Sequence, residues 1–409
     1  MKPWLIIALL TPWTAWAQHS VQQWLPPASR VQEVLMTSPQ IHSARLRQQA
    51  QEARAQQQAL GPHEFGVRIN QQSRQVQDPS QRFGETLITL ERPLRWWNKG
   101  QTDQQLSEQS RTIAQVGYAD ALHEGSRRLL LHWLMAWRAK VVVDSADEQS
   151  RLALALERQA AARLRQGDIS QRDAELARAE LFRVNVQRDM AHSEWQRAQA
   201  LLARLYPGLG IPSGVPDVSQ LPPLAPMDVL REDYLRRHHE LNLMRAEGAR
   251  AVLAARRQQQ EQLPDPTLGV FTARERLGTE RVVGVSVGIP LPGASRQLLT
   301  SAAQADAGAW ADRVRQAELE FGAEFDRRWL AAQDLRNSLE PMSSATRIQQ
   351  EAALKALRAY TLGENSMTEV LQQRRWADEQ LKALRLMQLE VLEHVAIIEL
   401  DLHRLWDLD

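Results

Sequence analysis

The chain has 409 residues, 43% hydrophobic and 24% charged, a balance that excludes wholesale disorder. Its mean hydropathy is −0.45, and no apolar run beyond the N-terminus reaches about 18 residues, which excludes a bundle of membrane-spanning helices. The net charge of +1 gives no electrostatic case for nucleic-acid binding, and the absence of cysteine removes disulfides, thiolate metal sites and a Cys nucleophile.

In chain order, the first segment reads as an export signal. Lys2 supplies the charge, Leu5-Ile6-Ile7-Ala8-Leu9-Leu10 the apolar centre, and Ala15-Trp16-Ala17 a cleavage site before Gln18. The spacing then predicts a helix over about 38–60 and two extended runs, 65–76 and 82–92, separated by the turn residues Asp78-Pro79-Ser80. A helical region over 98–164 follows, about 100 Å long at 1.5 Å per residue. It ends at Gly167, and a further helix covers about 169–206. Pro207 to Pro226 holds six prolines and three glycines and reads as an extended linker. The second half repeats the order: helix 228–262, strands 268–276 and 280–290, then helices 295–361 and 364–405, with a kink or local break expected at Pro341.

The order repeats because the sequence does. Gly167-Asp168-Ile169-Ser170 and Gly363-Glu364-Asn365-Ser366 share a glycine–acid–x–serine pattern at an offset of 196 residues. Pro93 aligns with Pro290, and Gly66-Val67 with Gly269-Val270, in the same order. A tandem duplication follows: signal 1–17, first repeat 18–206, linker 207–226, second repeat 227–409. Val391, Val395, Ile398, Leu402 and Leu405 are spaced 4, 3, 4, 3, and Leu130, Leu134, Trp137 and Val141 are spaced 4, 3, 4. These are seams that need partner helices.

The strands carry the functional information. Val283, Val285, Val287 and Ile289 fall on one face, while Val282, Gly284, Ser286 and Gly288 fall on the other. A greasy face opposite a small or polar one suits a strand with lipid outside and a lumen inside. Aligning Pro93 with Pro290 places Thr86, Ile88 and Leu90 outward and Glu85, Thr89 and Glu91 inward, with Trp96-Trp97 where an interfacial aromatic belt lies. An open sheet cannot stand in lipid with unpaired edges, so several chains must share one barrel.

The chain resembles the TolC-type outer-membrane efflux proteins over nearly everything after the signal segment. The resemblance rests on the duplication, on Val283-Gly284-Val285-Ser286-Val287-Gly288-Ile289-Pro290-Leu291 before an Ala-rich helix, and on Ala359-Tyr360-Thr361-Leu362-Gly363-Glu364-Asn365-Ser366 before another. Leu263-Pro264-Asp265-Pro266-Thr267-Leu268-Gly269-Val270 is similar to the heavy-metal-efflux, CzcC-like branch. The resemblance implies a mainly α fold with membrane β: long coiled-coil helices forming a periplasmic tunnel, and four strands per chain in a 12-stranded barrel of a homotrimer. It also implies a passive duct in the outer membrane of a Gram-negative bacterium, in outer-membrane lipid. The duct works with a periplasmic adaptor and an inner-membrane transporter of the RND type, without enzymatic chemistry or a cofactor.

By distance from the tip glycines, the resemblance assigns Tyr360 as a tyrosine that bonds a neighbouring coil, Asp173 as its acidic partner, and Glu369 as an acidic ring at the tunnel mouth. The second ring position falls on Gln372 and the gate arginine on Asn365, two departures from the family pattern. Each position also reads as an ordinary exposed helix residue. Gly167 and Gly363 suit left-handed helix C-caps, and Ser170 and Ser366 suit N-caps of the returning helices. By resemblance these tips dock the adaptor. Two other classes stand against the duct. A periplasmic coiled-coil adaptor or scaffold predicts no lipid-facing band. A hydrolase finds only His238-His239-Glu240, whose adjacent histidines cannot share one helix side and read as a surface helix.

Overall fold

The computed structural model describes residues 21–96 and 98–408. The export signal, its cleavage site and Trp97 lie outside the described residues. The described chain folds as α1 (Ala28–Met36), α2 (Pro39–Leu60), β1 (Gly66–Gln77), β2 (Ser80–Pro93), α3 (Lys99–Gln166) and α4 (Gln171–Leu205). The second half gives α5 (Met227–Arg237), α6 (His239–Gln260), β3 (Thr267–Glu275), β4 (Glu280–Gly288), α7 (Ala294–Thr361) and α8 (Met367–Asp401). Two compact units emerge, one of residues 43–120 and 239–320, the other of residues 21–42, 121–238 and 321–408. Each draws on both halves of the sequence, so the spatial units are not the sequence repeats.

In the first of these units the four strands make one antiparallel sheet in the order β1-β2-β3-β4. Its base is tied by Lys99, fully buried, whose Nζ lies 3.0 Å from Asp265 Oδ1 and donates to Leu263 O at 2.7 Å. Asp265 also accepts from the Trp96 backbone N–H at 3.1 Å and lies 3.4 Å from His63 Nε2. Burial disfavours its charge, but these bonds outweigh that cost and hold the carboxyl below its ordinary range.

The other unit is helical, and the heptad residues line its core, although the last helix ends at Asp401, so Leu402 and Leu405, expected on it, lie just past its end. Leu130, Leu134, Trp137, Val141, Val391, Val395, Ile398, Leu402 and Leu405 are all buried. Each fully buried side chain of this size contributes about 1.5–3 kcal/mol over exposure. Leu230, Tyr234, Phe325, Ala332, Ile398 and Leu402 form one continuous cluster. The Pro-rich segment 207–226 is not a loose tether. The indoles of Trp133 and Trp137, one helical turn apart on α3, donate to Gly210 O and Gly214 O at 2.9 Å each. Arg336 donates to Leu221 O and Pro222 O at 2.7 and 2.6 Å.

Three larger departures from expectation stand out. The region over 228–262 is two helices, because His238 adopts extended geometry (φ −59°, ψ 115°) and its ring packs 4.1 Å from Phe321 and 4.9 Å from Tyr234. The triplet 238–240 is therefore a helix junction and not one surface helix. Of the kink or break expected at Pro341, no break occurs: α7 runs through it, with Pro341 itself exposed. A proline removes one backbone bond, and the helix continues on the bonds either side of it. A short helix, α1, precedes the first expected one.

Candidate functional site

The sheet register decides which side chains share a face, since directly opposed residues point the same way. Val67, Leu90, Val270 and Val285 form one row across all four strands, and Ile69, Ile88, Thr272 and Val283 form the next. Leu268 and Val287 continue the face toward the helices. The apolar side chains of this band stand in the open: Val285 is 78% exposed, Val283 71%, and Val67 and Ile69 66% each. Ile289, expected on the same strand face, lies just past the end of β4 and is likewise exposed. A contiguous apolar face of this extent marks an interaction surface.

The opposite face carries the acids of the sheet in pairs, beside the apolar Leu87, Phe271 and Val282. Arg68 donates to Glu91 at 2.7 Å, Gln72 to Glu85 at 2.8 Å and Arg74 to Glu275 at 3.0 Å, with Arg74 Nε 2.9 Å from Glu85 Oε1. Glu85, Thr89 and Glu91 share this face, as the alternation expects, and Glu85 and Thr89 are buried on it. Glycine at 284 has a local cause: a Cβ would sit 2.5 Å from the Phe271 ring, which lies across the strand at that point.

In the helical unit, α3/α4 and α7/α8 turn back at matching tips. Gly167 and Gly363 both have φ +82°. Gly167 N donates to Leu164 O and Asp168 N to Arg163 O; Gly363 N donates to Tyr360 O and Glu364 N to Ala359 O. This is the same Schellman cap twice, 196 residues apart. Ser170 and Ser366 then cap the returning helices, accepting from the backbone N–H of Asp173 at 3.1 Å and of Glu369 at 3.3 Å. The acids at those positions complement the positive helix start. Leu156, Ala160, Ala177, Tyr360, Met367, Val370 and Leu371 pack the tips together.

Glu369 and Gln372 are exposed, and Asn365 accepts from its neighbour Ser366 N–H at 2.8 Å, closing its own turn. Tyr360 is buried at 4% exposure, and its hydroxyl makes no hydrogen bond among the described residues. Burial raises its pKa, the Asp173 charge adds to the rise and Arg163 opposes it, yet Asp173 does not bond it. Arg163 lies 5.1 Å from the Tyr360 ring centroid and donates to the Tyr360 carbonyl at 3.4 Å.

Contacts between the repeats, invisible to local patterns, include a buried acid clasped from both sides. Glu180, buried on α4, accepts from Arg183 Nε at 2.9 Å and from Arg375 Nε on α8 at 3.0 Å. Burial raises the Glu180 pKa, but the two arginines more than offset this and hold it low. The available signal was an acid and a base separated by nearly the repeat offset.

No family model and no curated protein sequence matches this chain. Solved structures do. The chain is similar to the outer-membrane channel OprN, with 15% identity over 97% of this chain and 92% of that one and a TM-score of 0.81. It is similar to the outer membrane protein VceC from Vibrio cholerae, with 15% identity over 93% and 95% of the two chains and a TM-score of 0.74. CusC matches with 14% identity over 94% and 91% and a TM-score of 0.71. The fold is that of TolC-like outer-membrane channels.

Proposed function

We propose that this protein is the outer-membrane channel of a tripartite efflux system, a passive gated duct from periplasm to exterior. The observation that carries the reading is the exposed apolar face running in register across four strands, with polar ion pairs on the reverse. The outer strands of the order β1-β2-β3-β4 have partners on one side only, and unpaired edges are untenable in lipid. Chains joining edge to edge complete the ladder, and a homotrimer gives a 12-stranded barrel. The solved outer-membrane channels of this fold support the same reading. A periplasmic scaffold leaves the apolar face without a use.

In this reading the chain is exported by its first 17 residues and comprises two efflux-protein repeats, 18–206 and 227–409, joined by 207–226. The capped tips at Gly167, Ser170, Gly363 and Ser366 dock a periplasmic adaptor, which couples the duct to an inner-membrane RND transporter. Val283, Val285, Val287 and Ile289 face lipid. Glu369, repeated around a threefold axis, forms the acidic mouth, with Gln372, Asn365, Asp173 and Tyr360 around it. Like charges converging there attract cations and restrict conductance. A heavy-metal cargo is the finer reading, supported by the CzcC-like stretch Leu263–Val270 and tested by metal tolerance of a strain lacking the protein.

Single-channel recording in planar bilayers tests the duct, comparing wild type with Glu369→Ala. Stable unitary currents with weaker cation block in the variant are expected. Currents unchanged by the substitution place the constriction elsewhere, and a protein soluble without detergent that never inserts overturns the duct.

A further inference from the structure

The charges of the sheet are sorted by face. On the strands, Glu85, Glu91, Glu275 and Glu280 all point to the polar side, together with Arg68 and Arg74. The apolar side carries charge only as arginine: Arg82, Arg92, Arg274 and Arg281. Arg92, at the helix end of the band, is spoken for. It lies 4.7 Å from the Phe65 ring centroid and donates to His63 O at 2.9 Å.

The other end of the band differs. One row beyond Ile69, Ile88, Thr272 and Val283 come Gln71, Thr86, Arg274 and Arg281, so the two arginines are direct cross-strand partners. Residues so opposed lie about 5 Å apart at Cα, and like charges there destabilise the pair. Both arginines are exposed, and neither has an ion-pair partner among the described residues. Neighbouring Arg276 is instead paired with Glu280 at 3.0 Å. Two cross-strand arginines above a wall of valine and isoleucine suit an anion whose remainder is apolar. Phosphate fits a guanidinium fork bidentately, and acyl chains fit the wall below.

We infer that Arg274 and Arg281 form a binding surface for the headgroup phosphate of an outer-leaflet lipid, whose acyl chains lie on the valine rows. This rests on the outer-membrane reading. Arg82, further along the same face of β2, extends the positive surface toward the hairpin end.

The test titrates the full-length protein in neutral detergent with three probes: bisphosphorylated lipid A, its dephosphorylated form and inorganic phosphate. Binding is read by native mass spectrometry. Wild type is expected to prefer the phosphorylated lipid by about thirtyfold, the contribution of two basic residues near an anionic surface. The Arg274→Gln/Arg281→Gln double variant loses that preference, whereas Arg276→Gln keeps it. A preference undiminished in the double variant overturns the inference. So does inorganic phosphate displacing the lipid at equal concentration, which makes the site an ion site without a lipid surface. Planar-bilayer recording on the same preparations separates the two levels. Conducting wild type without phosphate preference sinks this inference alone, and wild type that never conducts sinks the channel reading with it.

Discussion

The Glu180–Arg375 bond joins the returning helix of one half to that of the other, so its removal reports on how the two hairpins are held together. Breaking a buried ion pair by deleting one partner costs about 3–5 kcal/mol when the other charge stays buried. Here the side chain of Glu180 is 8% exposed, but Arg183 and Arg375 are 39% and 47% exposed and rehydrate when the carboxylate is gone. The expected loss for Glu180→Ala is therefore about 1–2 kcal/mol, from the exposed guanidinium groups being screened. Native-state hydrogen exchange reads this locally. Amides of 177–184 and 370–377 should exchange about 5- to 30-fold faster in the variant, with the strand amides unchanged. Arg375→Ala should give a smaller effect, because Arg183 still covers the carboxylate. The double variant should show a coupling of about 1 kcal/mol, within the range for contacting residues. A coupling near zero, or acceleration spread equally to the sheet, refutes the claim that this contact ties the hairpins.

Two further outcomes follow from the caps and from buried charge. Gly363→Ala and Gly167→Ala each force a Cβ into φ +82° with no neighbour within 4 Å, so the cost is backbone strain alone, about 1–2 kcal/mol. It should appear as faster exchange at the tip amides of the substituted hairpin only, and equal protection in both variants and wild type contradicts it. Asp401, 4% exposed, is held among Arg127, Arg328 and His123, whose Nε2 lies 3.3 Å away. Burial opposes its charge, but bonding and the positive neighbours win, so its pKa lies below the ordinary 3.8. A depressed folded value means stability present above 3.8 and lost as pH falls through the folded value. Tryptophan emission should shift red in that acid window, and Asp401→Asn should lower stability at neutral pH but converge with wild type in acid, so that its loss on acidification is smaller.

Local chemistry made much of this molecule legible in advance. Alternation in Val282–Ile289 and Glu85–Glu91 shows the two faces of the sheet because a strand's side-chain period is two, whatever it pairs with. Gly167 and Gly363 mark the tips, and Ser170 and Ser366 the returning helices, because caps are settled within six residues. Heptads at Leu130–Val141 and Val391–Leu405 name the buried seams, since a stripe must find a partner even when the sequence does not say which. What remained was decided over distance. Arg274 meets Arg281 only because β3 and β4 pair in one register, and a shift by one residue turns every side chain over. Helix continuity through Pro341 and the junction at His238 both reverse local propensity, the latter through the His238–Phe321 contact. Trp133 and Trp137 fix a Pro-rich segment some 77 residues away, and Glu180 finds Arg375 across 195. No local signal encodes such pairs, because the free energy that selects them exists only once segments far apart in the chain have packed together.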